Sequence, residues 1–384
     1  MSNLSSRLLQ RLDDVVRVPS VSSTAPELDV SNQGIIDYLA EQFANLGFSC
    51  EIVPCKQAGK VNLIASRGTG PGGLVMAGHT DTVPFDKELW SVDPFSLTEK
   101  DNRLYGLGVT DMKGFFPVVM SAIEALDVKA FKQPLIILAT ADEETSMEGA
   151  RTIAELGRPR ARAAVIGEPT GLKPVMAHKG MMMDEIRLLG QSGHSSDPSL
   201  GNNAMEAMHA VISDLMRYRE ELKSCYQSSL FDIPYPTLNL GSIHGGDNPN
   251  RICGHCNLQF DMRLMPGMHL EEVRADIRKR VHTVVDPLGI EFEHAVLFNG
   301  VPAFFAEENS ELLETTESLT GHTGISVGFG TEGPFLQQLG MDTIIMGPGN
   351  IDQAHQPDEY VSMDMLEPAI DVMQKLIVKY CEPS

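Results

Sequence analysis

Apolar positions in the first part of the chain follow two patterns, one typical of helices and one typical of buried strands. Leu8, Leu12 and Val15 recur at helical spacing and predict an amphipathic N-terminal helix. Continuous apolar runs predict buried strands at SCEIVP, NLIASR, GGLVMAGH, PLIILATA and AAVIGEP. Helical spacing returns in further segments, at about 31–46, 114–127 and 147–156. This alternation is typical of an α/β domain with a mostly parallel sheet covered by helices on both faces.

The pattern changes at about residue 179. A strand-like segment, MMMDEIRLLG, is followed by a helix at about 204–223, two strands, a second helix and a final strand, IEFEHAVLF. The order β-α-β-β-α-β is the split βαβ arrangement, which is ferredoxin-like. The apolar strand DTIIMGPG and a closing helix then resume the first pattern. We therefore predict an α/β domain formed by residues 1–178 and 299–384, interrupted by an inserted α+β domain at residues 179–298.

Composition narrows the class of protein. The chain has 384 residues, of which 42% are apolar, and this length favours two domains over one core. Its net charge of −22 argues against nucleic acid and anionic membranes as partners, because both require a basic surface. Neither a signal peptide nor an apolar run near the ~20 residues of a membrane span is recognisable. We expect a cytoplasmic protein.

Cysteine usage agrees with that compartment. The six cysteines are scattered except for Cys253 and Cys256, and we interpret them as reduced thiols. The single CxxC pair lies within a strand-like run and has no second pair beside it. Packing is therefore a better interpretation of it than a zinc or redox site.

Three consecutive carboxylates, those of Asp142, Glu143 and Glu144, stand close to the end of the apolar strand PLIILATA. Like charges at the end of a buried strand repel one another and resist desolvation. Either this strand end is fully solvated, or cations compensate the carboxylates.

Four other segments carry residues of the same chemical kind. His79 and Asp81 follow a buried strand at a spacing that directs both side chains the same way. Asp111 lies in a Gly-flanked loop before a helix, Glu168 ends a strand, and His355 follows IIMGPG. Ligand sites of open α/β sheets lie outside the carboxyl ends of the strands, where most of these residues are expected.

Each signal alone has a simpler explanation: an oriented loop histidine, a helix cap, a solvated strand end or a surface histidine. Together they form a mixed nitrogen and oxygen ligand set suited to Zn²⁺ or a similar divalent metal. Glu143 and Glu144 point in different directions, so one can be a ligand while its neighbour accepts a proton from water. A bound metal lowers the pKa of water towards ~7, within reach of a buried carboxylate. On this hypothesis metal ions neutralise the acidic run.

Six motifs, GHTDTVP, GLGVTDMKG, ADEETS, GEPT, GQSGHSS and AHQPDEY, resemble the di-zinc amidohydrolase and exopeptidase family. They occur in the family's order and extend over nearly the whole chain. The resemblance implies a homodimeric hydrolase with two divalent metal ions, zinc with cobalt or manganese as alternatives. The segments AHKG and DQAHQPDEY resemble those of one group within that family, and this resemblance implies the hydrolysis of N²-acetyl-L-ornithine to ornithine and acetate in arginine biosynthesis.

The resemblance also implies roles for the candidate residues. One metal would be held by His79, Asp111 and Glu168, and the other by Asp111, Glu144 and His355. Glu143 would be the general base, and the carboxylate of Asp81 would accept the second N–H of His79 and fix its tautomer. The peptide bond between Asp111 and Met112 would be cis.

The inserted domain would serve as a lid and dimerisation domain. By resemblance, His194 reaches the partner's active site and stabilises the developing oxyanion, although a loop histidine is the simpler interpretation of the residue alone. Arg251 would bind the substrate α-carboxylate, which a guanidinium suits, whereas such an arginine is otherwise a solvated charge. Glu332 either pairs with the side-chain ammonium of ornithine or is an ordinary turn residue.

Two alternative functions remain. One is a different N-acyl amino acid hydrolase, such as an N-acetylmethionine or N-formylmethionine deacylase or succinyl-diaminopimelate desuccinylase. The other is a non-catalytic metal- or peptide-binding scaffold, which should have lost a metal ligand or the base. Since every expected position carries the expected residue type, the scaffold is disfavoured.

Overall fold

The computed structural model describes residues 4–126, 130–307 and 309–382. The chain forms two compact units. The large unit comprises Met1–Met176, Ala306–Ile325 and Thr331–Ser384, and the small unit comprises Ala177–Phe305 and Ser326–Gly330. Among the described residues, no helix is both long and apolar enough to cross a membrane.

Helices and strands are interspersed along the chain. The helices are α1 (Ser6–Arg17), α2 (Gln33–Asn45), α3 (Phe115–Ala125), α4 (Glu148–Leu156), α5 (Ala204–Cys225), α6 (Leu270–Val285), α7 (Glu311–Thr320), α8 (Gly333–Gln338) and α9 (Leu366–Cys381). The strands are β1 (Ser49–Pro54), β2 (Val61–Arg67), β3 (Leu74–His79), β4 (Thr98–Lys100), β5 (Arg103–Tyr105), β6 (Leu135–Thr140), β7 (Ala163–Pro169), β8 (Val175–His178), β9 (Gly180–Leu189), β10 (Thr237–Gly245), β11 (His255–Leu264), β12 (Glu291–Val301), β13 (Phe304–Phe305), β14 (Ile325–Val327), β15 (Asp342–Gly347) and β16 (Tyr360–Ser362).

A large sheet forms the centre of the large unit, with the order β1-β2-β6-β3-β7-β15-β8. The four central strands, β6, β3, β7 and β15, are parallel. The flanking pairs β1–β2, β2–β6 and β15–β8 are antiparallel. Every residue of β3, β6 and β7 is buried, which explains their continuous apolar runs. The predicted α/β fold is therefore confirmed.

The register of the parallel strands decides where their polar ends lie. His79 at the end of β3 pairs with Thr140 at the end of β6, so both strands finish at the same edge of the sheet. Glu168 is the second-last residue of β7, and β7 runs parallel to β3. The residues that follow these strands are consequently brought together at one edge. Helix α3 packs against α1, α9 and β3 behind that edge.

The small unit has the predicted β-α-β-β-α-β order, formed by β9, α5, β10, β11, α6 and β12. Its sheet has the order β10-β11-β9-β12 and is antiparallel throughout. Helices α5 and α6 pack against each other and against this sheet. Inside it, the carboxylate of Asp184 accepts hydrogen bonds from both Arg274 and His294. The ferredoxin-like prediction is confirmed.

Candidate metal centre

Two histidines and three carboxylates meet at the carboxyl edge of the central strands. The Nε2 atom of His79 lies 3.1 Å from Oδ1 of Asp111 and 3.9 Å from Oε1 of Glu168. The Nε2 atom of His355 lies 3.3 Å from Oδ2 of Asp111 and 3.0 Å from Oε1 of Glu144. The two oxygens of Asp111 thus face different histidines.

These side chains form two sets of possible metal ligands that share Asp111. His79, Asp111 and Glu168 are one set, and Asp111, Glu144 and His355 are the other, with the ligand atoms of each set within 4.8 Å of one another. A further set combines His79 with Glu143 and Glu144. Imidazole nitrogens with carboxylate oxygens suit Zn²⁺ and similar divalent ions, so the donor set fits such a metal.

Burial strongly perturbs the carboxyl groups of this cluster. It raises the pKa of Glu143 and of Glu168 well above the usual value, and the neighbouring carboxylates raise both further. The pKa of Asp111 is below its usual range. Burial by itself would raise this pKa, but the hydrogen bonds from His355 and His79 outweigh the effect of burial. Hydrogen bonds to Asp111 and Glu144 raise the pKa of His355 to about 10. A compact group of buried carboxylates of this kind is stabilised by a cation.

Asp81 differs from the expectation in which of its groups contacts His79. The Nδ1 atom of His79 lies 3.0 Å from the backbone oxygen of Asp81, whereas the carboxylate is 3.7 Å away. The carboxylate instead accepts the backbone N–H groups of Glu143 at 3.1 Å and of Glu144 at 3.0 Å. Both carboxylate oxygens of Asp81 are thus occupied by the turn after β6. The backbone oxygen of Asp81 orients the imidazole of His79 through Nδ1, so that Nε2 faces Asp111.

The acidic run is not neutralised by one mechanism. Asp142 turns away from its two neighbours and forms a 2.7 Å ion pair with Lys60, both side chains being 1% exposed. Ser22 also donates to the same carboxylate. The hypothesis that metal ions alone compensate the run is therefore wrong for Asp142. The only indication of this ion pair in the sequence was Lys60, directly before β2. A lysine in the sequence does not by itself show whether its charge is buried or exposed.

Glu359 is a further buried carboxylate that sequence reasoning missed. It accepts the backbone N–H groups of Gly108, Thr110 and Asp111 at 3.0, 2.8 and 3.0 Å, and so grips the loop that carries Asp111. Burial raises the pKa of Glu359 to about 7. The peptide bond between Asp111 and Met112 is cis. The available signal was the position of Glu359 in the motif AHQPDEY, beside His355.

Glu332 lies at the N-terminal end of α8 and is 1% exposed. Its Oε1 atom has no hydrogen-bond partner among the described residues. Burial raises the pKa of Glu332 to about 7. A buried carboxylate oxygen without a partner is uncommon, and a donor from a ligand is one way to satisfy it.

His194 and Arg251 lie in the small unit, outside the cluster of the large unit. Their backbones pair with each other, and Nδ1 of His194 lies 2.7 Å from Oγ of Ser196. Arg251 forms a 2.5 Å ion pair with Asp247, with both side chains exposed. Within the small unit, His194 and Arg251 therefore lie on two neighbouring loops that pair through their backbones.

Comparisons with known proteins point in one direction. The profile of peptidase family M20/M25/M40 matches residues 75–379. The chain is 46% identical over 368 residues to an acetylornithine deacetylase of Klebsiella pneumoniae, covering 96% of each chain. It is 44% identical over 374 residues to an acetylornithine deacetylase of Pasteurella multocida, covering 97% of this chain and 98% of that one.

Solved structures show the same fold. An M20 family metallo-carboxypeptidase from Sulfolobus solfataricus superimposes with a TM-score of 0.73 at 21% identity, covering 97% of this chain and 99% of that one. A dinuclear metal-binding peptidase of the M20 family from Bacillus subtilis superimposes with a TM-score of 0.65 at 14% identity, covering 99% of each chain. With the profile match over most of its length and near-full-length relatives well above 30% identity, the chain belongs to peptidase family M20/M25/M40.

Proposed function

We propose that this chain is a metal-dependent amidohydrolase that converts N²-acetyl-L-ornithine to L-ornithine and acetate in arginine biosynthesis. The observation that carries the reaction class is the pair of ligand sets sharing Asp111, with Glu143 beside them. The substrate is supported by the near-full-length identity to acetylornithine deacetylases. Another N-acyl amino acid as the substrate is the second candidate.

Two divalent cations fit the donor atoms, one at His79, Asp111 and Glu168 and one at Asp111, Glu144 and His355. We propose zinc as the working ion, with cobalt as a substitute. Bound divalent metal supplies Lewis-acid polarisation of a carbonyl and lowers the pKa of water. Asp111 belongs to both sets because its two oxygens face opposite histidines.

Glu143 is the proposed proton carrier. Burial and the neighbouring carboxylates raise the pKa of Glu143, which makes its carboxylate a stronger base, and bound divalent cations would favour the ionised form that accepts the proton. As water adds to the acetyl carbonyl carbon, Glu143 takes the proton that the water loses. When the carbon–nitrogen bond breaks, Glu143 delivers that proton to the departing α-amine. Its backbone N–H is held by the carboxylate of Asp81, which keeps the base in place.

We assign catalysis to the large unit, and the roles of lid and dimerisation domain to the small unit. In this proposal Arg251 binds the substrate α-carboxylate, and His194 of one protomer stabilises the oxyanion in its partner's active site. Both roles rest on the resemblance of GQSGHSS and NPNRI to family motifs. A cytoplasmic location is part of the proposal, and all six cysteines, which lie within the described ranges, are free thiols as a reducing compartment favours.

Acetate release from a panel of N-acyl amino acids tests the substrate. The purified chain with added Zn²⁺ or Co²⁺ should have its highest kcat/KM with N²-acetyl-L-ornithine. The comparison substrates are N-acetylmethionine, N-formylmethionine and N-succinyl-diaminopimelate, with release of formate or succinate measured for the last two. A higher kcat/KM with any of these would reject acetylornithine as the physiological substrate. No hydrolysis of any of them with metal bound would favour a non-catalytic scaffold.

Glu332→Ser tests whether the carboxylate of Glu332, whose Oε1 has no partner among the described residues, binds the ornithine ammonium. N²-acetyl-L-norvaline is the matched substrate, because it has the same carbon chain without the ammonium. The variant should lose about 10- to 100-fold in kcat/KM for acetylornithine, as expected for a charged hydrogen bond, and little for acetylnorvaline. Equal losses for both substrates would reject this role for Glu332.

A further inference from the structure

A buried ion pair stands behind the turn that carries Glu143 and Glu144. Nζ of Lys60 lies 2.7 Å from Oδ1 of Asp142, and each side chain is 1% exposed. The same ammonium also contacts Oδ1 of Asp29 at 2.7 Å and the backbone oxygen of Val30 at 3.0 Å. Lys60 therefore ties the turn to a separate loop through one fully coordinated cation.

The turn itself begins at Asp142, whose backbone is in the left-handed region with φ of 55°. The backbone oxygen of Asp142 accepts the N–H groups of Ser146 and Met147. Its carboxylate accepts the hydroxyl of Ser22 at 2.9 Å, and that hydroxyl lies 2.7 Å from Oγ1 of Thr145. Asp142 thus stabilises the turn in two ways: its backbone oxygen closes the turn, and its carboxylate binds Ser22 and Lys60 outside it.

Asp81 holds the backbone of the turn at Glu143 and Glu144. Its two carboxylate oxygens accept the N–H groups of Glu143 and Glu144, which are adjacent along the chain. Asp142, at the start of the turn, is a second point at which the turn is anchored, through Lys60 and Ser22. A shift of Asp142 would move the side chains of Glu143 and Glu144 together relative to His79 and His355.

We propose that the Lys60–Asp142 ion pair provides that anchor, as a positioning pair that fixes the turn presenting Glu143 and Glu144. Neither residue touches substrate or metal in this proposal, and both act through the turn. The inference rests on the proposed hydrolase function, because it concerns the base and the ligand of that reaction. Displacing the turn by a fraction of an ångström misplaces two functional groups at once.

Lys60→Met is the direct test, because methionine keeps the apolar stem and removes the ammonium. Asp29→Asn is the matched control, since it disturbs the other arm of Lys60 and leaves Asp142 paired. In Lys60→Met we expect kcat to fall about 10- to 100-fold with KM little changed, as for other residues that orient metal ligands. Asp29→Asn should keep the kcat of the wild type. Circular dichroism and thermal unfolding establish that both variants are folded at the assay temperature.

Metal binding supplies a readout independent of turnover. Because Glu144 moves with the turn, zinc titration of Lys60→Met should show one of two sites weakened about 10- to 100-fold. The visible absorption spectrum of the cobalt-loaded variant should differ from that of the wild type. Asp29→Asn should match the wild type in both measurements. If Lys60→Met does not fold, Asp142→Asn takes its place, because the amide keeps one acceptor for Ser22 and Lys60 while losing the charge.

Two results would overturn the proposal. One is a folded Lys60→Met, or Asp142→Asn in its place, with wild-type kcat, zinc affinity and cobalt spectrum. The other is Asp29→Asn with the same losses, because the pair then acts only through general stability. Failure of the proposed function is distinguishable from both. In that case the wild type releases no acetate from acetylornithine, while the zinc titration and cobalt spectrum still report on the turn.

Discussion

Glu332 shows at the scale of one residue how burial couples charge to stability. Its pKa is raised by burial from 4.5 to about 7. Between these values the folded chain holds a proton that the unfolded chain has released. The stability associated with this group is therefore fully present below pH 4.5 and is lost as the pH rises to about 7.

Glu332→Gln should remove that pH dependence. In metal-free protein, the wild type should lose roughly 2–3 kcal/mol more unfolding free energy than the variant between pH 5 and pH 8, since one pKa unit corresponds to about 1.4 kcal/mol. Chemical denaturation at the two pH values measures it. Glu88→Gln, at an exposed position, should follow the wild type. Parallel pH profiles for wild type and Glu332→Gln would show that Glu332 is ionised in the folded chain across this range.

Predictability from sequence also differs from residue to residue. His79 and Glu168 could be predicted as neighbours because both end buried parallel strands, whose carboxyl ends share an edge. Glu359 could not, because its partner Gly108 is 251 residues away in sequence and is a backbone group. Lys60 likewise needed the tertiary structure to show that its charge is buried. In the structure the backbone oxygen of Asp81 lies nearer to His79 than its carboxylate does, and a sequence motif does not distinguish these two groups.

At the scale of elements, the packing of α3 against β7 sets the position of Glu168. Gly167 directly precedes this ligand, and a Cβ atom there would lie 2.2 Å from Cγ of Phe115 in α3. The strand and the helix can approach this closely only because residue 167 has no side chain. Hydrophobic pattern predicted both elements, but not the distance between them. Nor did it predict that the outer strands β1 and β2 run antiparallel, because a continuous apolar run carries no direction.

Gly167→Ala should therefore weaken both the fold and the centre. The added methyl group must displace α3 or β7, at a cost of about 1–3 kcal/mol in unfolding free energy. Because Glu168 moves with the strand, zinc affinity should fall as well. Gly328→Ala is the control, since within the described part of the chain, apart from the two adjacent residues, no heavy atom lies within 4 Å of a Cβ at that position. Denaturation and zinc titration measure the two effects. If Gly167→Ala left both the unfolding free energy and the zinc affinity unchanged, the close approach of α3 and β7 would not be what positions Glu168.

At the scale of the whole molecule, the proposed dimer makes each active site depend on two protomers. Glu143 and His194 would then come from different chains of the same site. Co-expressing Glu143→Ala and His194→Ala chains tests this dependence. Each homodimer should be inactive, whereas every mixed dimer should contain one complete site and one site lacking both groups. Random pairing predicts about a quarter of wild-type activity, because half of the dimers are mixed and each has one working site.

Size-exclusion chromatography with light scattering establishes whether dimers form. Inactive mixtures in which mixed dimers are demonstrably present would contradict the exchange of His194 between protomers. Activity in His194→Ala alone would remove this residue from the reaction. The change of pattern near residue 179 predicted a division into two domains, whereas the pairing of two chains was implied only by resemblance.

The most direct experiment on the proposed hydrolysis compares the wild type with Glu143→Ala in acetate release from N²-acetyl-L-ornithine, with zinc content measured on the same samples. Glu88→Ala, at an exposed position, serves as the control substitution. Both metals should remain bound in Glu143→Ala while kcat falls about 10²- to 10⁴-fold, the range expected for loss of a general base. Turnover near the wild-type rate in the metal-loaded Glu143→Ala variant would contradict the assignment of the base. A zinc-loaded wild type that releases no acetate would contradict the proposed reaction itself.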